Sequence, residues 1–148
     1  MTNSKNFFNF NKEIIFGEIG ALVGAPSVSY LTSQMTESAN IISFSAVGGA
    51  ILGAASFWLI MRIYDDTRNH KLSLKEFAED IAYFTPVAFF LTCLIYYPLL
   101  FFISRYLIRH FTGVLTSVVL SQFIAFTLFF ISMNVYRYFL LKVVGKTL

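Results

Sequence analysis

The stretch "FGEIGALVGAPSVSY", residues 16–30, decides the fold. It sets a lone glutamate, Glu18, at the head of a run of glycine, alanine and serine. On a helix turning about 100° per residue, Gly17, Gly20, Ala21, Gly24, Ala25 and Ser29 gather on one half. Ile19, Val23, Pro26 and Tyr30 take the other half, and Glu18 falls at the rim of the small one. Such a segment has one face for lipid and one flat face for a second helix. The next apolar run carries the matching device, a stripe of Ser45, Gly49, Gly53 and Ser56. Gly20–Gly24 and Gly49–Gly53 are both GxxxG pairs. Small residues let backbones approach until dispersion and weak hydrogen bonds hold them, where lipid removes the hydrophobic drive. The spacing predicts close packing of the first two helices, or a homodimer through the same stripes.

The whole chain agrees with a membrane setting. Of 148 residues, 57% are hydrophobic and 13% charged, and the mean hydropathy is +0.69. A water-soluble domain of this size needs more polar surface than that. Four apolar runs are expected as helices, over 14–35, 40–64, 77–104 and 112–144. Each exceeds the roughly 20 residues that span the hydrocarbon core, and helices satisfy their own backbone there. The expectation is a single all-α domain, 1–148: a four-helix transmembrane bundle, multi-pass, in the cell membrane. "SLKE" (73–76) has the form of a capping box that starts the third helix in water. Glu79 and Asp80 then fall in its early turns, where negative charge complements the helix dipole. Pro86 and Pro98 predict a kink in that helix.

Charge sets the expected topology. All eight acids lie in the first 80 residues. Basic residues flank the apolar spans, as topology signals do, and do not form the polar patch of a nucleic-acid binder. With the N-terminus inside, nine Lys and Arg face the cytoplasm and only Arg105 and Arg109 face out. The positive-inside rule therefore predicts both termini and the loop 65–76 in the cytoplasm.

Glu18 is the leading candidate site. Measured from Ile14 it lies about 6 Å inside its span. Ionisable groups in membrane helices face protein or water and are functional candidates by default. Arg62, ending helix two, and Arg137, late in helix four, lie at a similar expected depth. Three readings follow: an ion pair with Arg62 or Arg137, a coupling group in transport, or contact with lipid headgroups. At the other end, Arg105 and Arg109 share a helix face, with Tyr106 and His110 beside them. That basic corner suits lipid phosphate, a lipid-linked phosphate substrate or an acidic partner. Cys93, alone in an apolar run, allows no internal disulfide and is expected to be buried. The sequence holds no catalytic motif. The expectation is a protein without metal or other cofactor and without enzymatic activity. It is either a transporter or flippase handling a lipid-linked or anionic substrate, or an accessory subunit of a larger membrane complex.

The two halves of the chain echo each other. "GEIGA" (17–21) and "EDIAY" (79–83) open helices one and three. "FWLIMRIY" (57–64) and "MNVYRYF" (133–139) close helices two and four with Arg beside aromatics. This is either a repeated hairpin or shared interface chemistry. With "ANIISF" (39–44) opening helix two, these features resemble the GtrA-like family of small four-helix membrane proteins. The resemblance implies movement of polyprenyl-phosphate-linked sugars. The family sets Asn before the closing Arg, where this chain has Met61 and Tyr136, with Asn134 displaced. Glu18 also invites comparison with the small multidrug resistance family, which has a membrane glutamate in its first helix. A glutamate near the cytoplasmic edge and a long basic loop set this chain apart from that pattern.

Overall fold

The computed structural model describes residues 2–69, 86–110 and 113–143, with side chains from Asn11 onward except at 13, 62, 63, 65–69, 140, 141 and 143. The described residues form four long helices and no strand. They are α1 (Thr2–Ser33), α2 (Ala39–Asn69), α3 (Pro86–His110) and α4 (Val114–Val143). Each contains a segment long and apolar enough to cross a membrane: Ile14–Ser33, Ala39–Met61, Pro86–His110 and Val114–Phe139. The capping box at Ser73–Glu76, together with Glu79, Asp80 and His70, lies outside the described residues.

The helices outrun the apolar spans. α1 begins at Thr2 and α2 runs on to Asn69, because a helix leaving lipid can continue in water. α3 runs six residues past its expected end at Ser104. "RYLIRHF", read as a tight corner, is therefore mostly helix. Arg109 and His110 sit in the last turn, where cations complement the dipole. Gly113 ends the link, and its carbonyl accepts the first bond of α4 from the Ser117 N–H at 2.9 Å. Ser38 does the same for α2, accepting from Ile42 at 3.0 Å.

Inside lipid, hydroxyls need partners too. Several bond back to a carbonyl one turn earlier: Ser27 to Val23 at 2.7 Å, Ser56 to Leu52 at 2.8 Å, Thr127 to Phe123 at 2.8 Å. This lets polar residues face the lipid side at little cost.

The helices contact in ring order, α1 with α2, α2 with α3, α3 with α4 and α4 with α1. α1 and α2 are antiparallel and meet at glycine. A Cβ on Gly20 would run into the Gly53 carbonyl, and one on Gly24 into that of Gly49. The reverse clashes hold for Gly49 and Gly53. The GxxxG pairs are thus engaged within one chain. Pro26, placed on the lipid half by projection, is buried. α1 packs against α2 on one side and α4 on the other.

α3 contains a π-helical turn, Thr92–Tyr96, in which the Tyr97 N–H reaches back five residues to Thr92. Pro98 explains its position. Proline brings no N–H, and its ring presses on the carbonyl four residues back. Widening the turn by one residue relieves that contact. The extra residue rotates the frame by about 100°. Tyr96, Leu100 and Ser104, at four-residue spacing after it, point inward together, while Leu94 and Cys93 face out. Cys93 is exposed, contrary to expectation, because it sits on the outer side of this turn.

Candidate functional site

Glu18 lies at the middle of α1, about 22 Å by helical rise from Ser33. It is not at the edge of the bundle. α1 remains packed below it at least to Asn11, which is buried and accepts a bond from Asn134 Nδ2 at 3.2 Å. The Glu18 carboxyl is therefore turned inward, 8% exposed, and does not reach for the headgroups.

Its partners come from the opposite helices. The Tyr96 hydroxyl donates to Glu18 Oε2 at 3.0 Å and Oε1 at 3.3 Å. The Tyr96 ring packs edge-on against Phe129 of α4, with centroids 5.9 Å apart, which fixes where its hydroxyl points. Gln122 of α4, fully buried, faces the same two side chains. Its amide oxygen and nitrogen nevertheless lack a hydrogen bond of standard geometry. Tyr96 shares the inner face of α3 with Leu100 and Ser104, four and eight residues on.

The expected pair with Arg137 does not form. Arg137 lies fifteen residues beyond Gln122 on α4, about 22 Å along its axis, and is buried near the terminal end of the bundle. The Arg62 side chain lies outside the described residues. Arg105, Arg109 and His110 sit at the other end of α3. Arg105 is half-buried; Arg109 and His110 are exposed. Arg109 Nη2 approaches Asn40 Oδ1 at 3.5 Å. The His110 ring stacks on Tyr106, 4.3 Å between centroids, and its Nδ1 lies 2.8 Å from the Tyr106 carbonyl. The basic corner and Glu18 are thus separate features.

An apolar cleft of ≈ 240 Å³ opens on Glu18. Small residues make the space: Gly17 and Ala21 on α1, Ala50, Ala54 and Ala55 on α2, Ala88 on α3. Trp58, Tyr97, Phe126 and Phe129 supply aromatic walls. Among the described residues no basic side chain lines it. The volume is near the small end of ligand pockets, about 300–1,000 Å³. A carboxyl under an aromatic wall can hold a cation or a hydrogen-bond donor attached to an apolar body.

Tyr96, Gln122 and Trp58 were not singled out by sequence. Two signals were present. Tyr96 stands in the middle of its apolar span, away from the interface where tyrosine usually sits. Gln122 is an amide next to Ser121 inside the apolar fourth span. No protein-family model, curated protein or solved structure matches the chain.

Proposed function

We propose that the protein is a small membrane carrier that binds an amphipathic organic cation at Glu18. The observation behind this reading is a buried carboxyl, held by Tyr96, at the head of an apolar aromatic cleft with no basic residue among its described lining. An uncompensated charge inside a membrane helix carries an insertion penalty, so Glu18 is retained against a cost. A bound cation supplies the missing countercharge, and the aromatic walls add cation–π attraction of about 0.5–2 kcal/mol. Without the cation, a proton neutralises the same carboxyl. Proton and substrate therefore compete for one group, which is the requirement for exchange. An anionic or lipid-linked substrate, the sequence expectation, suits the Arg105/Arg109 corner. That corner is about 18 Å along α3 from Tyr97, and an anion would be repelled by Glu18.

Trp58 is the only tryptophan and lines the cleft, so it reports occupancy. Protein in lipid nanodiscs is titrated with benzyltrimethylammonium and with its neutral carbon isostere, neopentylbenzene. Saturable change of Trp58 fluorescence is expected with the cation, at least about tenfold tighter than with the isostere, or about 1.4 kcal/mol. Affinity rises with pH, since the proton competes. The other titratable groups facing the cleft among the described residues are Tyr96 and Tyr97 of α3. Glu18→Gln abolishes the preference for the cation. Equal binding of the two probes, or an unchanged preference in Glu18→Gln, sinks the reading.

A further inference from the structure

The loop end of α3 carries charge that no described group answers. Arg105 and Arg109 both lie inside its apolar span, Pro86–His110. Arg105 is five residues, about 7–8 Å, short of the helix end, and its side chain is half-buried. Among the described residues it makes no hydrogen bond or ion pair, and Arg109 makes only the long contact of Nη2 to Asn40 Oδ1 at 3.5 Å. Each guanidinium has five N–H donors to place. The two acids with described side chains are Glu18, which bonds to Tyr96, and Glu37, which pairs with neither arginine. After Asp80 the chain holds no acid at all.

An uncompensated guanidinium in a membrane span carries an insertion cost. Lipid supplies the counter-ion at this level: Tyr106, exposed between the two arginines, is the residue type that marks headgroup depth. Side chains four apart on a helix start about 5–6 Å from each other. One phosphate can therefore accept from both guanidinium forks. His110 is otherwise engaged, since its Nδ1 donates to the Tyr106 carbonyl at 2.8 Å and its ring stacks on that tyrosine. The phosphate falls to the arginines.

A second feature lies one turn nearer the middle of the membrane. Phe101 packs edge-on against Phe44 of α2 and against Phe102, with centroids 6.0 and 5.3 Å apart. Phe44 is 73% exposed and Phe102 62%, so this aromatic cluster faces lipid. On α2 the surface continues to Gly48, where a Cβ would meet open space. An anion-binding pair set above an open apolar track matches the two parts of a phospholipid. A headgroup with its own cation would be repelled by the arginines, which favours a lipid of net negative charge.

We propose that this corner binds an anionic phospholipid of the adjoining leaflet, its phosphate bridging Arg105 and Arg109 and an acyl chain lying along Phe101, Phe44 and Phe102. The lipid spans the junction of α2 and α3 at the loop end. It shares no lining residue with the cleft, so the site stands or falls apart from the carrier reading.

Full-length protein, stripped of lipid in a non-ionic detergent, is titrated with lipids and followed by native mass spectrometry. Dioleoylphosphatidylglycerol is expected to be retained at least about tenfold more tightly than dioleoylglycerol, which has the same chains and no phosphate, or dioleoylphosphatidylcholine. Arg105→Gln combined with Arg109→Gln removes that advantage, and Phe44→Ser with Phe102→Ser weakens retention of all three lipids several-fold. Lys12→Gln with Lys142→Gln, at the other end of the bundle, leaves the advantage in place. Excess inorganic phosphate does not displace the lipid. Equal retention of phosphatidylglycerol and either comparison lipid overturns the proposal. So does displacement by inorganic phosphate, which would mark a site for free phosphate, or an equal loss in the lysine pair. The wild-type comparisons and the phosphate competition decide alone if the arginine pair does not fold.

Discussion

Glu18 stays inside the bundle because Tyr96 replaces part of the hydration that lipid denies it. Tyr96→Phe removes the hydroxyl and keeps the ring against Phe129. Polar pairs in membrane proteins couple by about 0.6 kcal/mol on average and up to about 1.7. A double-mutant cycle of Tyr96→Phe and Glu18→Gln is expected to give a coupling in that range when unfolding is followed by steric trapping in bicelles. Zero coupling would mean that the two groups do not bond. Gln122 behaves in the opposite sense. Its amide is buried without conventional partners, so an apolar residue of similar size removes an unsatisfied group. Gln122→Leu should leave folding unchanged or stabilise it by about 1 kcal/mol. A loss of stability larger than that would show a well-bonded amide.

The helix contacts separate into those that sequence reveals and those it hides. Gly48 and Gly49 are neighbours with opposite surroundings. A Cβ on Gly48 meets open space, and one on Gly49 meets the Gly24 carbonyl. Gly48→Ala should gain up to about 1 kcal/mol of helix propensity. Gly49→Ala should lose about 1–3 kcal/mol by overpacking, and thermal unfolding in detergent distinguishes the two. This contact was legible because the missing side chain is itself the mechanism: four small residues at spacing four identify a close approach wherever they occur. The Glu18 partners were not legible, because they come from α3 and α4 and no local pattern pairs them with α1. Nor does anything in "CLIYYPLL" announce the five-residue bond except Pro98. The expected pair with Arg137 is absent for a related reason. Depth was counted from the first apolar residue, whereas α1 is helical and packed well before it. Pro98→Ala removes the reason for the π turn. It should let α3 rewind and turn Ala88 and Thr92 of the cleft wall by about 100° relative to Tyr96, which changes the Trp58 emission, while the coupling measured in the cycle above stays.

At the scale of the molecule, the order of the chain places two different environments on the two sides of one carboxyl. The end that carries residues 34–38 also carries Arg105 and Arg109. The other end carries the cleft, Asn11, Lys12, Arg137 and Lys142. The positive-inside rule predicts that second end in the cytoplasm. A cysteine at Asn69, in a Cys93→Ser background, should then react with an impermeant maleimide only from the cytoplasmic side, and one at Glu37 only from the opposite side. With that orientation the cleft lies in the inner half, and the organic cation would reach Glu18 from there in exchange for a proton. Exchange of one proton for one monovalent cation moves no net charge, so the membrane potential drops out. Each pH unit is worth 1.36 kcal/mol, about tenfold in concentration. Vesicles with the cytoplasmic face inward and one unit more alkaline inside should therefore export benzyltrimethylammonium until it is about tenfold more dilute inside. The gradient should be insensitive to a potassium–valinomycin potential and absent in Glu18→Gln. A cation gradient that follows the imposed potential instead would mean that no proton moves in return, and Glu18 would then be a binding group without a coupling role.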